Sequence, residues 1–297
     1  MKLRKAICVA AILALCGCGK QRQVAAVPDA AASAPAASDS EQHRPDLSKY
    51  AELMQAVFGK DYRRDSGSAE VDLPDPEERN QTSKFLLTPV AMQVLADGTS
   101  VLVLNGEALD DNGTTMSAHG TPGLLSVYLL RKEAGQWKVW RRHENIDGLG
   151  SNGSIGSVKW TMLADGKPGL AIEHGGTWQG HTITLLSLYD VTAENVSDLV
   201  GAIKIHSDNT GWCGPATEKC WEVSGHWQFV RSNTGAAYDD LRVDFTGQEK
   251  IALAAVTDTE TDVEPARKTV PITGSARYVF KDGGYQLANG ENIVPDV

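Results

Sequence analysis

DGLGSNGSIGSVKWTMLADGKPGLAIEHGGTWQGHTITLLSLYD, residues 147–190, decides how this chain is read. Two short runs, Val158 to Leu163 and Gly169 to Glu173, flank Asp165-Gly166, and a third, His181 to Tyr189, follows. Asp-Gly between strand-like runs is the strongest short hairpin signal, so the stretch predicts antiparallel strands. It holds nine of the chain's 29 glycines in 44 residues, about twice an even share, which implies backbone that turns or approaches closely. Gly148-Leu149-Gly150-Ser151-Asn152-Gly153 fits the G-x-G-x-x-G spacing of dinucleotide sites. That motif needs a strand before it and a helix after it. Here a strand follows, so the segment reads as a wide turn between strand groups, with Asn152 and the glycines at positive φ.

Outward from this stretch the same grammar repeats. Leu86 to Leu95 and Ser100 to Leu104 flank Asp97-Gly98, and Tyr285 to Leu287 follows Ala276 to Phe280 across Asp282-Gly283. Leu124 to Arg131 and Trp137 to His143 flank Glu133-Ala134-Gly135-Gln136; Val196 to Ile205, His226 to Arg231 and Leu241 to Phe245 complete the strands. Leu-Ala-Asp-Gly recurs 68 residues apart, at Leu95 and Leu163, each time leading a group of about four strands. The expected fold is all-β, with antiparallel sheets in three groups of four like an incomplete β-propeller; a two-sheet β-sandwich accounts for the same strands.

One short N-terminal helix precedes the sheets. Pro45 and Asp46 suit a helix start, Leu47, Tyr50, Leu53, Met54 and Val57 recur at helical spacing, and Gly59 ends it. Residues 61–83 are polar and proline-broken and read as a loop or lid. The division is therefore a leader at 1–17, a tether at 18–45, a helix and polar loop at 46–84, and a β domain at 85–297. An acidic run from Asp258 to Glu264 reads as a surface excursion.

The first residues, MKLRKAICVAAILALCGC, have three cations, an apolar run of about ten residues and small residues at the end. A bilayer span needs about 20 apolar residues, so this is a secretory signal. Leu15-Cys16-Gly17-Cys18 resembles the lipobox of bacterial lipoproteins, which implies a lipid on Cys18. Gly19 follows, where inner-membrane lipoproteins carry Asp, so the resemblance implies the outer membrane. Lys20 to Arg44 is rich in Ala, Ser and Pro and spans about 28 Å as a flexible coil. Loss of Lys2, Arg4 and Lys5 leaves 25 basic against 38 acidic residues, a formal charge of −13. Nucleic acid is thereby excluded as an expected partner, and a cationic one is favoured.

Two of the five cysteines leave with the signal and one takes lipid. Cys213 and Cys220 remain, and in an exported chain they read as a disulfide. Seven histidines include His143, His174, His181, His206 and His226 near strand ends, none at a metal-ligand spacing. Asp110, Asp111 and Asn112 before Gly113 are loosely like a calcium loop without the closing Glu, so an acidic turn is the default and no cofactor is expected. No G-x-S-x-G elbow is present. Glu173 beside His174, with Asp208, is a candidate carboxylate pair for glycosidic chemistry, though such residues are common in loops.

Binding has better candidates. Trp178 stands in Gly175-Gly176-Thr177-Trp178-Gln179-Gly180, and Trp212 and Trp221 bracket the disulfide loop. Tryptophan is favoured as a binding anchor, so Trp178, Gln179, Trp212 and Trp221 form the predicted rim. In overall style, residues 85–290 resemble propeller-like periplasmic lipoproteins that act as immunity proteins or inhibitors of cell-wall hydrolases. Such inhibitors present a Ser-Gly-x-Tyr loop; Thr234-Gly235-Ala236-Ala237-Tyr238 is the nearest stretch, with Thr for Ser and one extra residue, so the resemblance adds Tyr238 to the site. The expected function is binding of a periplasmic protein or glycan partner. An envelope hydrolase using Glu173, or a structural accessory of an envelope assembly, are the other readings.

Overall fold

The computed structural model describes residues 47–76, 81–253 and 265–297. The leader, the tether with Cys18, Asp46 and the acidic run at 258–264 lie outside these residues. One helix, α1 (Ala51–Phe58), with a 3-10 turn at each end (Ser48–Tyr50 and Gly59–Asp61), precedes two antiparallel sheets. The first holds β1 (Tyr62–Arg63), β2 (Ser68–Pro74), β3 (Thr82–Val94), β4 (Ser100–Ala108), β5 (Gly123–Glu133) and β6 (Gln136–Leu149) in chain order. The second holds β7 (Ser157–Ala164), β8 (Lys167–Trp178), β9 (His181–Asp190), β10 (Ile203–Asp208), β11 (Lys219–Val230), β12 (Asp240–Ala252), β13 (Arg267–Lys281) and β14 (Gly284–Gly290), again in chain order. All-β architecture behind one short helix is as expected. The grouping differs: two open meanders of six and eight strands replace three groups of four.

Turn chemistry accounts for the meanders. Ala134-Gly135, Gln179-Gly180 and Asp282-Gly283 all have positive φ at both positions and join directly paired strand ends. This is the backbone of a two-residue hairpin turn matched to strand twist. Only one of the three is an Asp-Gly.

Three apolar layers hold the sheets. Tyr50, Leu53, Met54, Val57 and Phe58 from the helix and its leading turn pack on Leu87, Leu102, Leu104, Tyr128 and Leu130. Phe58 meets Tyr128 edge-on, with centroids 5.5 Å apart, and the Tyr128 hydroxyl donates to Glu144 at 2.8 Å. The opposite face, with Val101, Val103, Leu125, Val127 and Leu129, packs on Leu170, Ile172 and Tyr189 of the second sheet. Strands β4 and β5 are therefore buried on both faces, which is why SVLVLNG and GLLSVYLL read as nearly continuous apolar runs. Each fully buried Leu here contributes about 1.5–3 kcal/mol. Ala171, Leu186 and Leu188, on the reverse of β8 and β9, join Ile203, Val223, Leu241, Val243 and Phe245 in the third layer.

Two segments depart from expectation. The polar loop at 61–83 contains strands β1 and β2 and the start of β3. In SAEVDLP, Ala69 and Leu73 are buried while Glu70 and Asp72 point out; the charged residues mask a period-two pattern. Pro74 stands at the strand end, where a missing N–H costs no central ladder bond. Conversely, the run expected as a strand from Val196 to Ile205 does not become one until Ile203. The Asp198 carboxylate accepts the N–H groups of Leu188, Val200 and Ala202 at 3.0–3.1 Å, and Gly201 and Ala202 take positive φ. That local bonding competes successfully with a ladder.

Candidate functional site

The second sheet brings the predicted tryptophans together. Trp178 ends β8 and His181 begins β9, and they face each other as the last pair before the Gln179-Gly180 turn. Directly opposite residues share a face with Cβ atoms about 5 Å apart. On one side His119, from the β4–β5 connection, meets the Trp178 ring edge-on at 5.8 Å, and its Nε2 donates to the Thr177 carbonyl. On the other side His181 lies 6.0 Å from the Trp212 ring and 5.9 Å from that of Trp221. Five rings from three separated segments thus form one strip. Trp178 is 40% and Trp212 58% exposed; His181 and Trp221 are half-buried and Gln179 is exposed.

Glycine makes this closeness achievable. A Cβ on Gly180 would stand 2.3 Å from the Gly211 carbonyl carbon, so the hairpin tip and the disulfide loop meet backbone to backbone. The loop itself is held tightly. Cys213 and Cys220 are disulfide-bonded, with Cα atoms 5.6 Å apart. Asn209 donates to the Lys219 carbonyl at 3.0 Å and accepts the Trp221 N–H at 2.7 Å. Trp221 donates its indole N–H to Ser207 at 3.0 Å, and Thr217 donates to the Trp212 carbonyl at 2.9 Å. Rings on so fixed a frame lose little freedom on binding. Beside the disulfide a cleft of about 210 Å³ is lined by Trp221, Glu222, Gln248 and Lys250 among others.

Tyr238 does not belong to the strip. It is 9% exposed, its hydroxyl donates to Asp190 at 2.8 Å, and its ring packs edge-on against Phe280. Burial first, then the Asp190 bond and charge, push its phenol up to about 12. The stretch from Thr234 therefore turns its tyrosine into the core rather than presenting it.

The proposed carboxylate pair is also separated. Glu173 pairs with Leu186, whereas Asp208 pairs with Thr182, whose β8 partner is Thr177; four residues along and two strands across put their Cα atoms roughly 16 Å apart. Glycosidic pairs stand about 5–9.5 Å apart. Burial pushes the Glu173 carboxyl up, but hydrogen bonds from Lys159 at 2.7 Å and Trp227 at 2.9 Å, with the Lys159 charge, hold it below its usual value. A general acid needs the opposite shift.

Two serine–histidine–aspartate groupings appear that the sequence did not reveal. His174, 7% exposed, accepts the Gly150 N–H at Nδ1 and donates from Nε2 to Ser187 at 3.0 Å, while Ser187 donates to Asp198 at 2.9 Å. The serine proton points at the aspartate, the wrong direction for a nucleophile, and Ser187 is fully buried. On the surface, His206 bridges Ser224 at 3.0 Å and Asp208 at 3.1 Å. Here the order suits a general base. Ser224 sits in mid-ladder between β10 and β12, however, where the surrounding N–H groups bond to neighbouring strands rather than forming an oxyanion hole.

The remaining motifs are structural. Gly150, Asn152, Gly153 and Gly156 take positive φ, as the wide-turn reading requires, and buried Asn105 pins the turn through Gly153 and Ile155 at 2.8 and 2.9 Å. Asp110 spends one carboxylate oxygen on the N–H groups of Asn112 and Thr114 within its own loop. Among the described residues no group of three or more His, Cys, Asp or Glu is placed to hold a metal, and no helix is long and apolar enough to cross a membrane. No protein-family model, curated protein or solved structure matches the chain.

Proposed function

We propose that this is an exported outer-membrane lipoprotein, anchored through Cys18, whose β domain binds a protein or glycan partner in the periplasm through the aromatic strip. The observation that carries the reading is the convergence of His119, Trp178, His181, Trp212 and Trp221, with two tryptophans exposed on a backbone fixed by the disulfide. Exposed rings at this density are not needed for the core, which the three apolar layers already fill. The formal charge of −13 on the processed chain supports a basic partner, such as a cationic cell-wall hydrolase that the domain restrains. Such restraint would run through the tryptophans, because Tyr238 is turned inward.

Anchoring and binding are tested separately. Cys18→Ala should move the full chain from the membrane fraction to the soluble fraction and remove the mass of the acyl chains; unchanged fractionation and mass contradict the anchor. For binding, the full chain is mixed with envelope preparations and sedimented. Trp178→Ala with Trp212→Ala should lower retention at least tenfold at unchanged thermal stability, and equal retention contradicts the strip as the contact surface.

A further inference from the structure

Three polar side chains converge on the cleft beside the disulfide. Glu222 and Gln248 are directly opposite each other across β11 and β12, and Lys250 is opposite Cys220, so Glu222 and Lys250 are diagonal neighbours about 7–8 Å apart at Cα. Despite this closeness no ion pair joins them, and none of the three makes a side-chain hydrogen bond among the described residues. Their chemistry is complementary: the carboxylate only accepts, the ammonium only donates, and the amide does both. The disulfide forms one wall; the Trp221 ring, opposite Glu249 and 5.9 Å from His181, lies on the other face of the sheet from the three polar side chains, because neighbouring strand residues alternate faces.

We propose that this cleft is a glycan subsite that takes one pyranose ring, with Trp212, which precedes the cleft-lining Cys213, stacking against an adjoining sugar. The proposal rests on the binding role assigned to the strip and names its ligand class. Its volume of about 210 Å³ falls below the roughly 300–1,000 Å³ of sites for drug-sized molecules, and a single ring is the scale that fits. Vicinal hydroxyls each donate and accept, so a pyranose satisfies acceptor-only Glu222, donor-only Lys250 and bifunctional Gln248 together. An apolar ligand would leave these groups desolvated and unpaired, at a cost for each. The C–H faces of a sugar ring lie flat against an indole, and Trp212, 58% exposed, adjoins Cys213 of the cleft in the chain. A protein partner, by contrast, ordinarily buries about 800 Å² per side around an apolar centre, whereas this cleft is small and rimmed by unpaired polar groups.

The test is calorimetric titration of the full chain, purified in detergent, with two probes: the β-1,4-linked tetramer of N-acetylglucosamine and maltotetraose. At least one should bind with a dissociation constant of 1 mM or tighter, about −4 kcal/mol or better. Glu222→Gln and Lys250→Met, both at exposed positions, should each weaken that binding at least tenfold without moving the melting temperature, and Trp212→Ala should weaken it as well. Absence of binding by either tetramer at millimolar concentration overturns the subsite, as does binding that survives Glu222→Gln combined with Lys250→Met. If the tetramers fail while Trp212→Ala still abolishes envelope retention, the glycan subsite falls and the broader binding role stands. Titration with lysozyme as a cationic protein probe completes the design; tight binding there, with no response to either sugar, also overturns the subsite.

Discussion

The β8–β9 hairpin has one face with two very different ends. At its base His174 is sealed under the Gly150 turn and committed to Ser187, which in turn serves Asp198. Four residues further along the same strand face stands Trp178, 40% exposed, paired with His181. Both ends place a histidine among ring and polar neighbours, yet only the tip is free to meet another molecule. Where the first sheet and its connecting turn cover the hairpin, polar groups pair among themselves; where that cover ends, rings are left facing water. A histidine with a serine and an aspartate is thus a support here, and the less reactive-looking cluster of aromatics carries the candidate function.

Substitutions sharpen this contrast, and the sealed end should show the largest effect. Asp198→Ala removes the acceptor for Ser187 and three backbone N–H groups and should destabilise the fold by about 3 kcal/mol or more, since each orphaned donor costs about 1–3 kcal/mol. Urea unfolding measures this, and a loss under about 1 kcal/mol breaks the account of the sealed end. Next in size is the disulfide. Cys213→Ser with Cys220→Ser reopens a loop of sequence separation seven and should cost about 2.5 kcal/mol on the chain-entropy model, while loosening Trp212 against His181. Unchanged stability together with unchanged tryptophan fluorescence contradicts the loop's role as a rigid frame.

A smaller effect is expected from pH. Burial lowers the proton affinity of His174 below its usual value of 6.5, with Asp198 and Asp147 opposing only in part. The unfolded chain then takes up a proton that the folded chain refuses, so this contribution is intact above about pH 6.5 and is lost as pH falls toward the folded-state value. His143, lowered by burial and then by Arg141, acts in the same direction. His174→Gln, which can still accept from Gly150 and donate to Ser187, should flatten the decline of the melting temperature below pH 6.5. An unchanged slope in that variant removes His174 from the explanation.

Much of the fold is legible in the residues, for reasons the structure makes clear. Asp-Gly turns and the apolar runs of β4 and β5 are local signals, and both strands lie where expected. Strand β2 was hidden because Glu70 and Asp72 make an alternating strand look polar, and the connection after β9 looked extended because the bonds of Asp198 cannot be inferred from composition. Sheet grouping was not legible: the Leu-Ala-Asp-Gly repeat marks two hairpins, β3–β4 and β7–β8, but not where one sheet stops. For the site, glycine spacing and the disulfide pointed to Trp178, Trp212 and Trp221. Their junction depends on Gly180 meeting Gly211 across the sheet, and His119 joins from 58 residues before Thr177; contacts of that range leave no local trace. Tyr238 was misplaced because a motif-like loop says nothing about which way its last side chain turns.

The smallest stability change and the most decisive result belong to the exposed tip. Truncating Trp178 and Trp212 together should cost no more than about 1 kcal/mol in urea unfolding, because exposed side chains away from special features usually contribute about 0.5 kcal/mol or less each. The same double variant should lose at least tenfold in envelope retention, about 1.4 kcal/mol of binding free energy. A double variant that keeps full retention, or one that unfolds along with its loss of binding, contradicts the claim that the open end of the β8–β9 hairpin is the contact surface.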